Sequence, residues 1–268
     1  MQRDLKVIAK RVRADIVRMT TAAGSGHPGG SLSAADVVVA LYERVLHHRP
    51  KQPDWLNRDR FVLSKGHAAP LLYAVLAERG YFPHARLASL RKINSHLQGH
   101  PSRLDTPGVE VSTGSLGQGL AMANGMALAA KTDNAKWRVY CLLGDGECDE
   151  GEVWEAAMLS HQYKLDNLVA IVDKNGLQID GRTRDVMDTN PLAGKFRAFG
   201  WHAIEINGHD YKEILGAFRE AAATKGKPTA IIARTVKGKG VSFMEGKIEY
   251  HGKCANPAEC ARALGELA

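Results

Sequence analysis

The chain has 268 residues, 44% of them hydrophobic and 24% charged, with 27 glycines; this composition excludes a disordered or fibrous protein and is ample for a buried core. Lys and Arg outnumber Asp and Glu by 36 to 29, a formal charge of +7, which admits nucleic acid, a polyanionic cofactor or an acidic partner chain. The basic residues are scattered, however, and the one dense run, Lys237-Gly-Lys239, carries no interleaved aromatics, which argues against a nucleic-acid surface.

The N-terminal Met-Gln-Arg-Asp-Leu-Lys alternates charges where a signal peptide needs an apolar stretch. No apolar run approaches the roughly 18 residues of a membrane span. Leu5, Ile8, Val12 and Ile16 then recur at helical spacing, and Gly24-Ser-Gly-His-Pro-Gly-Gly30 interrupts them before a second helix expected to begin near Ser31 or Ser33. Phe61-Val-Leu63 reads as a short strand, followed by Ser64-Lys-Gly-His67 and a helix through Leu71, Leu72, Val75 and Leu76. The first third is therefore mainly helical.

From residue 137 the pattern changes. Apolar runs at Val139 to Leu143, Leu168 to Val172 and Ile231 to Ala233 are separated by helical stretches such as Glu152 to Tyr163 and Tyr211 to Ala223. Strands alternating with helices indicate an α/β fold with a mostly parallel sheet flanked by helices, and continuous rather than alternating hydrophobicity fits strands covered on both faces. With no linker and no repeat in the sequence, residues 1–268 are expected to form a single domain. The four cysteines, Cys141, Cys148, Cys254 and Cys260, form no CxxC pair and no zinc spacing. A reducing, cytoplasmic setting fits that usage.

The unit with most chemistry is Val139-Tyr-Cys-Leu-Leu-Gly-Asp-Gly146, a helical crossover, and Leu168-Val-Ala-Ile-Val-Asp-Lys-Asn175. Asp145 and Asn175 each stand just past the carboxyl end of a predicted strand. If the strands are neighbours, the two side chains converge at the end of the sheet where open α/β folds bind ligands. A carboxylate and an amide oxygen suit a hard cation, Mg²⁺ first and Ca²⁺ second, with positions left for phosphate oxygens. Gly144 and Gly146 permit close backbone approach. Alone, either Gly-Asp-Gly or Asn-Gly is commonly just a turn.

Together they resemble the thiamine diphosphate fingerprint. Ser25-Gly-His-Pro-Gly29, Lys65-Gly-His67, Gly99-His-Pro101, Thr113-Gly-Ser-Leu-Gly-Gln-Gly119, Gly144-Asp-Gly146 and Asp180-Gly181 come in the order in which they occur in transketolases, so nearly the whole chain resembles the diphosphate-binding domain of that family. The resemblance implies thiamine diphosphate as cofactor and a metal held by Asp145, Asn175 and the Leu177 carbonyl. It places the Gly146 N–H, His67 and His251 around the diphosphate, and Gly114, Leu116 and Ile179 against the cofactor rings. His27, His67, His100 and His251 would surround the reactive carbon and move protons, and Glu150 would match a carboxylate linking neighbouring active sites. His47, His48, His84, His161, His202 and His209 read as surface or core residues; His96 stays open between the two roles.

Where that family continues into pyrimidine-binding and C-terminal domains, this sequence has no counterpart. The expectation is a catalytically incomplete chain that joins a second polypeptide, as α2β2, to transfer a two-carbon ketol unit between sugar phosphates. Rival readings are the α subunit of a 2-oxo acid dehydrogenase, a deoxyxylulose phosphate synthase fragment, or a non-catalytic thiamine diphosphate-binding protein. The contexts of His27, His67 and His100 argue against the first two, and retention of all four histidines argues against the third.

Overall fold

The structure, a computed structural model, describes residues 3–268. Leu5–Ala23 forms helix α1. The Asp4 carboxylate accepts from the Lys6 N–H at 2.8 Å, satisfying a first-turn donor that has no partner inside the helix. Gly24, at φ +61°, ends the helix in the left-handed conformation that glycine adopts without steric cost. Helices α2 (Pro28–Ser33) and α3 (Ala35–Arg44) follow. The second helical segment thus starts earlier than Ser31, because proline is well suited to the first helical position, where its missing N–H would be unpaired anyway.

Strand β1 (Arg60–Leu63) leads to α4 (Ala69–Arg79), α5 (Gln118–Thr132), β2 (Val139–Gly144), α6 (Gly151–Gln162) and β3 (Leu168–Lys174). A small hairpin of β4 (Leu177–Gln178) and β5 (Gly181–Arg182) comes next, then the short helices α7 (Thr183–Val186) and α8 (Leu192–Ala198). The chain ends with β6 (His202–Asn207), α9 (Tyr211–Ala223), β7 (Thr229–Arg234) and α10 (Pro257–Glu266). Among the described residues no helix is long and apolar enough to cross a membrane.

The main sheet has five strands in the order β1-β2-β3-β7-β6, every pair parallel. Successive side chains on a strand point to opposite faces, and each face is buried by its own helices. Tyr140, Leu142, Val169, Ile171 and Ile231 pack into one cluster with residues of α1, α3, α4 and α9. Val139, Cys141, Leu143, Ala170, Val172 and Ile232 pack into a second with residues of α5, α6 and α8. Covering on both faces is why β2 and β3 read as continuous apolar runs. Each fully buried aliphatic side chain contributes about 1.5–3 kcal/mol, so the core holds the strand ends firmly in place.

Strand β6 lies at the sheet edge, with Glu205 and Asn207 exposed to solvent. Its alternating composition hides it from a search for continuous apolar runs.

Candidate functional site

Strands β2 and β3 are neighbours, with Gly144 in register with Asp173, so Asp145 and Asn175 leave the sheet side by side. The Asp145 carboxylate accepts from the Gly146 N–H at 3.0 Å and from the Gly176 N–H at 2.6 Å, tying the two strand ends together. Asn175 Oδ1 accepts from the Leu177 N–H at 3.1 Å, and its Nδ2 donates to Asp173 Oδ2 at 3.0 Å. Burial first, and the neighbouring Asp173 charge second, push the Asp145 carboxyl up to about 6. A carboxylate in that position favours a nearby cation.

Beneath them lies a buried charge network. Asp173 is 1% exposed and Lys65 2%; Lys65 Nζ donates to Asp173 Oδ2 at 2.5 Å and to the Gly30 carbonyl at 2.8 Å. Ser33 Oγ and Thr235 Oγ1 also donate to the Asp173 carboxylate, each at 2.5 Å. Burial alone would raise the Asp173 carboxyl, but Lys65 and the two hydroxyls outweigh it and hold it below the usual range.

Lys237 is also buried; its Nζ donates to the Leu177 carbonyl at 3.1 Å and to His251 Nδ1 at 2.8 Å. Burial, then repulsion from Lys65, brings the Lys237 ammonium down to about 8. Lys65 and Lys237 both line a cavity of about 290 Å³ that reaches Asp145, Gly146, Glu150, Asn175, Leu177, Ile179, Leu116, His67 and His251.

His27 and His100 lie beside this cavity rather than in its wall. Ring centroids are 5.3 Å apart for His27 and His67, 5.5 Å for His27 and His251, 5.2 Å for His67 and His251, and 6.4 Å for His27 and His100. Burial and neighbouring cations keep these rings neutral: His67 falls to about 2, His251 to about 3 and His27 to about 4, while His100 is lowered too. Gly114 packs on the His100 ring, where a Cβ would meet ring atoms at 3.4 Å. Glu150 stands at the N-cap of α6 without a capping hydrogen bond and faces the cavity.

His96 is exposed and outside the imidazole cluster. His209 sits between Asp36 and the Val236 N–H, and His48 between Tyr81 and the Tyr42 carbonyl, which are packing roles. Lys65, Asp173, Lys237 and Arg91, whose guanidinium stands 3.4 Å from His27 Nδ1, belong to the site; Lys65 opens the Lys65-Gly-His67 motif and Asp173 lies in the β3 segment, but the sequence gives none of the four a role there. The available signal is a charged residue within or next to an apolar segment, since a buried charge needs a partner.

A model of the transketolase thiamine diphosphate binding domain matches residues 5–266. The chain belongs to the transketolase family. It is 44% identical over 267 residues to the 6-deoxy-6-sulfo-D-fructose transketolase subunit SqwG of Clostridium sp. (strain MSTE9), covering 100% of this chain and 96% of that protein. It is 42% identical over 263 residues to an apulose-4-phosphate transketolase subunit of Phocaeicola vulgatus, covering 98% and 93% respectively. The crystal structure of transketolase from Campylobacter jejuni superposes with a TM-score of 0.93 at 38% identity, over 98% of this chain and 42% of that one.

The transketolase cofactor fits what the site offers. No group of three or more His, Cys, Asp or Glu suited to a metal occurs among the described residues. The donor set at the strand ends is instead a carboxylate, an amide oxygen and a backbone carbonyl, the hard oxygens that Mg²⁺ and Ca²⁺ prefer. Gly30, Gly144 and Gly146 line the cavity; a Cβ on Gly30 would come within 3.6 Å of His67 Nε2. Two buried ammonium groups and a side-chain-free wall suit a diphosphate.

Proposed function

We propose that the chain is the thiamine diphosphate- and metal-binding subunit of a two-chain transketolase, which moves a two-carbon ketol unit from a ketose phosphate to an aldose phosphate. The observation that carries this reading is one cleft joining Lys65, Lys237, Asp145 and Asn175 to His67 and His251, with His27 and His100 at its side. The near-full-length match to two relatives named as parts of transketolases supports it. Residues 1–268 act as one diphosphate-binding domain.

In this reading Asp145, Asn175 Oδ1 and the Leu177 carbonyl hold Mg²⁺, with Ca²⁺ the second choice. The Gly146 N–H, His67, His251 and Lys237 take diphosphate oxygens, and Gly114, Leu116 and Ile179 pack on the cofactor rings. The cofactor, when bound, supplies the electron sink for carbon–carbon cleavage. His27, His67, His100 and His251 are neutral near pH 7, so each can donate from one ring nitrogen and accept at the other. They bind sugar hydroxyls, and as a group they serve the proton transfers that accompany cleavage. Glu150 links this site to a neighbouring one through a carboxylate network.

The partner is a C-terminal transketolase subunit carrying the pyrimidine-binding domain, in an α2β2 assembly. It brings the glutamate that faces the aminopyrimidine and most contacts to the sugar phosphate. Four unpaired cysteines support a cytoplasmic setting.

The test is glycolaldehyde transfer from xylulose 5-phosphate to ribose 5-phosphate, by the chain alone and with the subunit that co-purifies from its source. Activity only with the partner is expected. If no transfer occurs there, apulose 4-phosphate and 6-deoxy-6-sulfofructose are the next donors, as the relatives' names suggest. Cofactor binding with no transfer from any donor would overturn the reading in favour of a non-catalytic binding protein.

A further inference from the structure

Arg91 belongs to no helix or strand and precedes the Gly99-His-Pro101 loop. It has φ +58°, the left-handed region that L side chains avoid, and its N–H bonds to the Leu97 carbonyl at 2.9 Å. Its guanidinium bridges the two loops that carry His27 and His100. Nη1 donates to Ser25 Oγ at 2.7 Å, Nη2 donates to the Gly99 carbonyl at 3.5 Å, and Nη2 stands 3.4 Å from His27 Nδ1. None of these partners is a carboxylate, and the Nε is buried with no partner. The packing depends on Gly99, where a Cβ would fall 3.1 Å from Arg91 Nε and 3.2 Å from Cζ. An unfavourable backbone angle and an uncompensated cation, placed together at a functional ring, point to a role for the contact.

A guanidinium has five N–H donors and no lone pair to offer. Facing it, His27 Nδ1 is the acceptor, and the single ring proton belongs on Nε2. Nε2 bonds to no protein group among the described residues and is not sealed from solvent. The charged and titratable groups facing this ring are Arg91, His100, Lys237, His67 and His251. None is a carboxylate that would stabilise a second ring proton. His251 is held in the same sense, its Nδ1 against the Lys237 ammonium at 2.8 Å.

We infer that Arg91 is a positioning residue that fixes His27 as the neutral Nε2–H tautomer, so that His27 meets the substrate as a hydrogen-bond donor to oxygen and not as a base. The second half rests on the transketolase reading. The tautomer is a property of this chain alone.

The experiment is a long-range ¹H–¹⁵N correlation of the full chain with ¹⁵N-labelled histidine, His27 being assigned by His27→Asn. From about pH 5 to 8, across the ordinary histidine range, the expected spectrum has an unprotonated Nδ1 and a protonated Nε2. Arg91→Met should give a mixture of tautomers and a His27 titration shifted upward; Arg91→Lys, which keeps a donor without a lone pair, should retain the wild-type pattern. A protonated Nδ1 in the wild type, or an Arg91→Met spectrum identical to it, overturns the proposal. If Arg91→Met does not fold, the wild-type and Arg91→Lys spectra still decide.

Within the assembled enzyme, Arg91→Met should lower kcat roughly 10–100-fold, by analogy with the losses seen when a partner that orients a metal-ligating imidazole is removed, while cofactor affinity holds. An unchanged kcat overturns the donor role. An inactive wild-type assembly that keeps the expected spectrum would sink the transketolase reading and leave the tautomer standing.

Discussion

Asn175 Nδ2 donates to Asp173 Oδ2 at 3.0 Å, the same oxygen that receives Lys65 Nζ. An amide whose nitrogen is committed in this way must turn its oxygen the other way. The orientation of Asn175 Oδ1 therefore depends on a buried ion pair whose lysine reaches the cavity wall. Removing one member of a buried pair strands the other charge and costs about 3–5 kcal/mol. Lys65→Met should lose stability on that scale in urea denaturation, with the double variant Lys65→Met/Asp173→Leu recovering part of it. A single variant within about 1 kcal/mol of wild type, the ordinary surface range, would show that the pair is not stabilising.

Asp145 is the one anionic member of the oxygen set at the strand ends. Asp145→Ala removes that charge and the tie between the Gly146 and Gly176 N–H groups. In the assembled enzyme, cofactor affinity in the presence of Mg²⁺ should fall at least about tenfold, the scale of metal-site losses on mutation. The difference between Mg²⁺ and chelator should also shrink. Equilibrium dialysis measures both, and unchanged retention would refute the metal assignment.

The ends of β2 and β3 are legible in the sequence because their apolar runs are continuous: the run of β2 stops just before Gly144-Asp145, and that of β3 stops at Val172, two residues before the strand itself ends at Lys174. That places Asp145 and Asn175 near the carboxyl ends of their strands, on the side of the sheet where open α/β folds bind ligands. The Lys65–Asp173 pair leaves no comparable trace, since its members lie 108 residues apart and no periodicity connects them. Lys237 looks like part of a basic surface run, although the fold buries its ammonium under the Leu177 carbonyl. His27 is marked by its Ser25-Gly-His-Pro-Gly29 context, whereas His96 stays open in the sequence; in the fold His96 is exposed and the His27 ring lies 5.3 Å from that of His67.

His100 sits at the outer side of the imidazole group, 6.4 Å from His27 by ring centroid, and does not line the cavity. His100→Ala should reduce kcat for ketol transfer by about 10²-fold, the low end for a proton-transfer group, and leave cofactor affinity nearly unchanged. Equal losses in both would assign the ring a structural role.

Four rings of the site, His27, His67, His100 and His251, are neutral in the fold and charged at low pH when unfolded. For His67, burial lowers the pKa to about 2 from an ordinary value near 6.5. Between those two values the unfolded chain binds the extra proton and the folded chain does not, so stability rises with pH there and falls on acidification. The slope for one such group is about 1.4 kcal/mol per pH unit below roughly pH 6. Thermal denaturation should show Tm falling from pH 7 to pH 5, more shallowly in His67→Gln. A Tm that rises on acidification would contradict the neutral assignment.

Lys237 gives the cofactor site an upper pH limit. Its ammonium has been lowered to about 8, by burial and then by Lys65, so the free site begins to lose that charge at mildly alkaline pH. A bound anion favours the protonated form and raises this value. Diphosphate affinity should therefore be constant below about pH 7.5, fall up to tenfold per pH unit from about 8, and level off above the pKa of the complex. Lys237→Met should bind more weakly at pH 7 and lack this alkaline decline, because the titrating group has gone. Inorganic diphosphate and Mg²⁺, titrated calorimetrically into wild type and variant from pH 6.5 to 9.5, provide the comparison. A decline of equal steepness in both proteins would place the titrating group elsewhere, and a variant with wild-type affinity at pH 7 would remove Lys237 from the diphosphate contacts altogether.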